Sequence, residues 1–300
     1  MRFWNIGGEG QIMMGAVAAS WVALFNPEIP RPLLLLLMAA AGMAGGGLWA
    51  LFPAFFKTKF KTNETIFTLM MNYVALKIVT YLQYGPWRDK EAFGYPKIPN
   101  FVQNARLPKL FDIHIGWILV PVIVTVIYLF IKYTKAGYEI NVIGESESTA
   151  RYAGMNVPFI ILSTLFASGA ICGLAGMIQV SGVNSTLSVD VTNGVGYTAI
   201  IISWLGQLNA VAILLVSFLF AVLVEGGSFI QTVYHIPEAA ASLLQGIILF
   251  FVLGCEFFIK YRVSTDDIPG IKLFSQRKNQ KKRSEPESDS NASNQGINND

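Results

Sequence analysis

Apolar runs recur along this chain almost without pause: 11–25, 32–56, 65–84, 115–131, 159–181, 197–206, 210–224 and 236–259. A helix that crosses a bilayer needs roughly 20 such residues, and eight runs with their loops account for most of the chain. Charged residues make up 14% of it, where soluble domains carry about 25%, and mean hydropathy is +0.48. The predicted fold class is all-α: a polytopic membrane protein of about eight transmembrane segments, some short or broken. The expected organisation is a transmembrane domain over 1–260 and a disordered cytoplasmic tail over 261–300. The tail mixes KNQKKR with EPESDSNASNQ and has too few large apolar residues to fold alone. Two runs, 11–25 and 197–206, are short. Irregular backbone at membrane depth is tolerated only when buried in protein or lining a wet cavity.

Lys and Arg placement sets the orientation. With the tail inside, Arg2, Lys57, Lys59, Lys61, Lys132, Lys135, Arg151, Lys260 and the seven basic residues of the tail face the cytoplasm. Arg31, Arg88, Lys90, Lys97, Arg106 and Lys109 face outward, and Lys77 lies within a span. The tail supplies most of this bias. Its basic cluster, Arg277 to Arg283, reads either as part of a solvated tail without a specific role or as a contact for anionic lipid.

Several chemistries are excluded. Cys172 and Cys255 both sit in apolar runs, so no disulfide framework is expected. His114 and His235 are far apart, which argues against a metal site. The chain has no GxxxxGK[ST], GxSxG or HExxH pattern, so neither a bound cofactor nor catalysis is expected. No basic stripe suggests a nucleic-acid partner.

The polar segment 132–158 exceeds the usual helix–helix connection of about 2–8 residues. Within it, Ser146 starts a short predicted helix, Glu147 and Arg151 suit its first and last turns, and Gly154 suits its stop. It reads either as a connector or as a docking element for a soluble partner. Asn5 to Gln11 sets three glycines around Glu9, and reads either as a tight turn or as an unwound segment beside a substrate path. Asn72 lies deep in a span and is a candidate for lining a polar cavity. Lys77 is nearer the outer end, where it can snorkel or find an internal partner. Gly42, Gly46, Gly169, Gly173 and Gly176 recur at helical spacing and allow close helix packing. Gln179, Asn184, Ser185, Thr186 and Asn193 offer neutral hydrogen-bonding groups, with Asp190 the one charge among them. They suit either a self-bonded outer loop or a sugar or nucleoside.

Six stretches in order resemble a known family: FWNIGGEGQ from Phe3; NETI from Asn63 with LMMNY from Leu69; GPWRD from Gly85; GYEI, VIGE and ARYAG between Gly137 and Gly154; LGQLN from Leu205; and LLQG from Leu243. Together they are similar to the permease subunits of bacterial ABC importers, in the branched-chain amino acid, ribose and nucleoside branch and nearest its simple-sugar and nucleoside group. The resemblance implies a multi-pass protein of the bacterial cell membrane that moves a nucleoside or simple sugar and hydrolyses no ATP itself. It implies a second permease subunit (hetero-dimer or homo-dimer), cytoplasmic ATPase subunits and an extracytoplasmic substrate-binding lipoprotein. Glu145, Ala150, Arg151, Tyr152 and Gly154 would form the coupling element. Glu9, Gln11, Asn72, Gln179 and Asn184 are the candidates for the substrate path. Members of the group have roughly two further membrane segments before the NIGGEGQ run, so the chain is expected to be truncated at its N-terminus. The alternatives are transport of another small solute, or a non-transporting membrane scaffold left by that truncation.

Overall fold

The structure, a computed structural model, describes residues 3–92, 94–110, 113–234 and isolated positions between 239 and 255. The chain forms two units, 1–241 and 242–300. In the second, described positions such as Leu243, Phe250 and Phe251 are helical. Most of the expected span 236–259, with Gln245 of the LLQG motif, and the whole tail 261–300 lie outside the described residues.

Nine helices follow one another among the described residues: α1 (Gly8–Phe25), α2 (Arg31–Phe60), α3 (Glu64–Tyr84), α4 (Gly116–Tyr133), α5 (Lys135–Glu145), α6 (Glu147–Tyr152), α7 (Val157–Ile178), α8 (Val195–Leu205) and α9 (Ala210–Tyr234). α7 continues through a π-helical turn, Gln179–Asn184. The all-α expectation needs one amendment, a two-residue antiparallel hairpin of β1 (Lys109–Leu110) and β2 (Ile113–His114). Among the described residues, five helices are long and apolar enough to cross a membrane: α2, α3, α4, α7 with its π turn, and α9. α1 carries Glu9 and Gln11 in its first turn and α8 has 11 residues, and neither belongs to that set. α9 runs ten residues beyond the expected stop at Val224, through Glu225, Gly226 and Gly227. Each helical glycine costs only about 1 kcal/mol, which a long apolar helix absorbs.

The core is a seam of α1, α2 and α7. A methyl group on Gly173 would collide with the Gly42 carbonyl, and one on Gly15 with the backbone of Gly173. The glycine spacing was read as a close-packing device, and here it brings three backbones into contact. Lipid gives helices no hydrophobic reason to associate, so such close approach supplies the attraction.

Two apolar clusters cap the seam. At one end Leu34, Met38, Val79, Phe101, Leu187 and Val191 pack together, covered by the 85–114 segment. Arg31 on α2 holds that cover by donating to the Arg106 carbonyl at 2.9 Å, and Thr186 Oγ1 donates to Ile98 O at 3.0 Å. This is the loop end. At the opposite end Ala54, Ile143, Ala150, Val157, Ile160 and Leu165 pack with Phe3 and Met155. Lys57 and Glu64 pair there at 2.6 Å between α2 and α3. Lys57, Lys61 and Arg151 share a cleft of about 560 Å³ at this basic end. The structure thus gathers at one end the residues that charge counting assigned to one side.

Candidate functional site

Two pieces of chain end in the middle of the molecule. α3 has 21 residues, about 31 Å at 1.5 Å per residue, close to the hydrocarbon thickness of a bilayer. Asn72 is the ninth residue of α3, so it lies about 12 Å from the basic end. Beside it α1 starts at Gly8, after residues 3–7 have come up from the basic end without helical structure. From the other side the chain turns back after the π turn and descends through 185–194. The consecutive left-handed residues Asn193 (φ 43°) and Gly194 (φ 77°) then launch α8 toward the basic end, where Trp204 meets Trp4 at 5.1 Å. The 11 residues of α8 cover about 16 Å, half a crossing.

Non-helical backbone at this depth has to be satisfied by protein groups. α3 does this for the entering segment. Thr68 Oγ1 accepts from the Ile6 amide at 3.2 Å, Asn72 Nδ2 donates to Ile6 O at 2.9 Å, and Asn72 Oδ1 accepts from the Gly10 amide at 2.9 Å. A side chain on Gly10 would crowd Asn72 Oδ1. Asn5 Oδ1 accepts from the Gly7 amide at 2.9 Å, and its amide exchanges two 3.3 Å bonds with Gln11. Only the first part of the Asn5–Gln11 stretch is unwound: residues 5–7 are non-helical, and Gly8 to Gln11 form the first turn of α1.

Glu9, 5% exposed, ties this segment to α8. Its Oε1 accepts from the Thr192 hydroxyl and from the Gly194 amide at 3.1 Å, and its Oε2 accepts from the Gly196 amide at 2.6 Å. The carboxylate satisfies otherwise orphaned amides at the start of α8 and sits at the positive end of two helix dipoles. A side chain on Gly196 would strike Glu9. Asn72 adds a bond from its Nδ2 to the Tyr197 hydroxyl at 3.2 Å, joining α3 to α8.

These groups border a cavity of about 440 Å³ between α3, the descending segment and α8. Glu9, Met13, Asn72, Tyr73, Asp190, Thr192, Asn193 and Tyr197 contribute to its wall. Of the path candidates, the structure brings Glu9 and Asn72 together here. Gln11, 1% exposed, faces Asn5 and does not reach the cavity. Gln179 opens the π turn and Asn184 closes it, near the loop end and away from this cavity. Around them Leu107 N donates to Ser181 O at 3.0 Å and Phe101 N to Ser185 O at 2.8 Å, as in a self-bonded outer loop. Thr192 and Tyr197 are not among the sequence candidates, and Asp190 enters the sequence reading only as the one charge in the stretch that holds Asn193. The Asn193-Gly194 pair is a turn signal that could have pointed to them.

At the basic end, Ser146 Oγ caps α6 by accepting from the Thr149 amide at 3.3 Å, as the sequence suggests. Arg151 pairs with Glu147 at 2.9 Å along the helix. Gly154 ends the turn at φ 76°. Ala150 is fully buried and pins α6, while Tyr152 is 93% exposed. Glu145 closes α5, a second helix within the polar segment 132–158. Thr134 caps it by accepting from the Gly137 amide at 3.1 Å.

The family described as branched-chain amino acid transport system / permease component matches residues 1–253. The glucose ABC transporter permease protein TsgB13 of Haloferax volcanii is 33% identical over 272 residues, 86% of this chain and 71% of that protein. The guanosine ABC transporter permease protein NupP of Bacillus subtilis is 30% identical over 262 residues, covering 83% and 72%. A second guanosine permease protein of that organism, NupQ, is 28% identical over 204 residues, covering 65% and 64%. No solved structure matches the chain.

Proposed function

Because this chain belongs to the branched-chain amino acid transport system / permease component family, and so is a multi-pass membrane permease subunit with no catalysis of its own, we propose that it carries a nucleoside or a simple sugar inward in an ATP-driven importer. The observation that carries this reading is the cavity at mid-membrane depth, bordered by two helices that begin there. Discontinuous helices meeting at the midplane are how transporters build solute sites within lipid. The size of the cavity suits one small molecule. The names of the glucose and guanosine relatives support a nucleoside or simple sugar as the solute.

In this reading the basic end faces the cytoplasm, and α6 is the coupling element of a separate ATPase. Ala150 anchors it while Arg151 and Tyr152 present its outer surface. Glu145 and Gly154 bound the element, so that a push on Tyr152 is passed to the starts of α6 and α7. The loop end receives the binding protein. Two guanosine permease proteins from one organism, both similar to this chain, favour a hetero-dimer, with a second and different permease closing the open side of the cavity.

The test is uptake of labelled guanosine and labelled glucose by vesicles holding this chain with its partner permease, ATPase and binding protein. Uptake of either that needs ATP is the expected result. ATP-dependent uptake of neither overturns the proposal and favours a non-transporting scaffold. Removing Ser146 to Gly154 is a poor control, because it takes the buried Ala150 out of the core. Tyr152→Ala spares the core and is expected to stop uptake.

A further inference from the structure

The polar groups around the cavity fall into two sets. Glu9 and Asn72 have their oxygens and nitrogens engaged in holding α1, α3 and α8 together. Asp190 and Asn193 stand exposed in the same wall, and neither side chain has a hydrogen bond or ion pair among the described residues. Tyr197 accepts a bond from Asn72, which leaves its own hydroxyl proton free for another acceptor. Tyr73 adds a ring face from α3. Among the described residues the wall holds two carboxylates and no Lys, Arg or His.

Asp190 follows Val189, whose amide donates to Gln83 Oε1 at 3.0 Å toward the outer end of α3, so its exposed carboxylate stands at the cavity's outer side, solvated until a solute replaces the water. A carboxylate accepts only, so that solute brings N–H or O–H donors. Vicinal hydroxyls of a pentose or hexose, or the N–H edge of a base, meet that need. The Asn193 amide and the Tyr197 hydroxyl can then take the solute's acceptors. A phosphate ester brings about −1.5 to −2 charges into a wall with no cation to receive them.

We propose that Asp190, Asn193 and Tyr197 are the contact set that reads the passing solute, admitting an uncharged, donor-rich ring and rejecting its phosphate ester. This rests on the transport reading above and adds to it the residues that select.

The experiment places Leu76→Cys, which lines the cavity outside the contact set, in a chain carrying Cys172→Ala and Cys255→Ala, within the complete transporter. The rate of modification by a membrane-impermeant maleimide is then followed. Guanosine or glucose is expected to slow it at least fivefold, while guanosine 5′-monophosphate and glucose 6-phosphate leave it unchanged. Adding Asp190→Asn is expected to remove that distinction. No protection by any probe, or equal protection by the esters with Asp190 intact, overturns the assignment. Uptake in the same vesicles separates the two claims. Uptake without protection defeats the contact set and leaves the transport reading standing, while protection without uptake does the reverse. Absence of both defeats both. In the otherwise natural chain, Asp190→Asn is expected to lower guanosine uptake at least tenfold with the protein still in the membrane, and unchanged uptake counts against the assignment.

Discussion

The middle of the molecule and its basic end treat polar groups in opposite ways. Around Glu9 and Asn72, donors and acceptors are closed on one another across three helices and an unwound segment. On α6, Arg151 and Glu147 pair only with each other, and Tyr152 is left 93% exposed. In hydrocarbon an unmet hydrogen-bonding group is expensive, so the interior network is structural. In water there is no such pressure. An exposed aromatic ring on a helix pinned from behind is therefore informative about a partner.

Substitutions can break this contrast. Glu9→Ala leaves the Thr192 hydroxyl and the amides of Gly194 and Gly196 without an acceptor. At about 1–3 kcal/mol per buried orphan, it is expected to cost about 3 kcal/mol or more, read as a lower midpoint of thermal unfolding in lipid nanodiscs. Asn72→Ala strands the Gly10 amide and the Ile6 carbonyl. It is expected to cost about 2 kcal/mol by the same measurement. On α6 the effects shrink. Ser146→Ala removes one cap and is expected to cost about 1 kcal/mol. Arg151→Glu exchanges an exposed pair for a repulsion, at about 0.5 kcal/mol. If an α6 substitution destabilised the protein as much as Glu9→Ala, the contrast would be lost.

The sequence made the apolar spans legible because their length is set by the bilayer. The Ser146 cap and the Gly154 stop were also legible, because capping chemistry is local. The pairing of Glu9 with Thr192, Gly194 and Gly196 was not, since more than 180 residues separate them and no periodicity links the two stretches. α5 is hard to read because KAGYEINVIGE contains two glycines, which are weak helix formers, among charged and polar residues. Its signal was Thr134 as a cap. Attention went to Gln179 and Asn184, since amides near a span end suggest a solute path. The descent of the chain instead brings Asp190 and Asn193 of the same polar stretch to the cavity wall, and their separation from Gln179 and Asn184 follows from the three-dimensional course of 185–194.

The most direct test of the central claim is cross-linking from Tyr152→Cys in the assembled transporter, with a thiol reagent that bridges to the ATPase subunit. The account predicts a permease–ATPase adduct, and no modification of that cysteine by an impermeant reagent applied outside intact cells. Modification from outside, with no adduct formed, would contradict it.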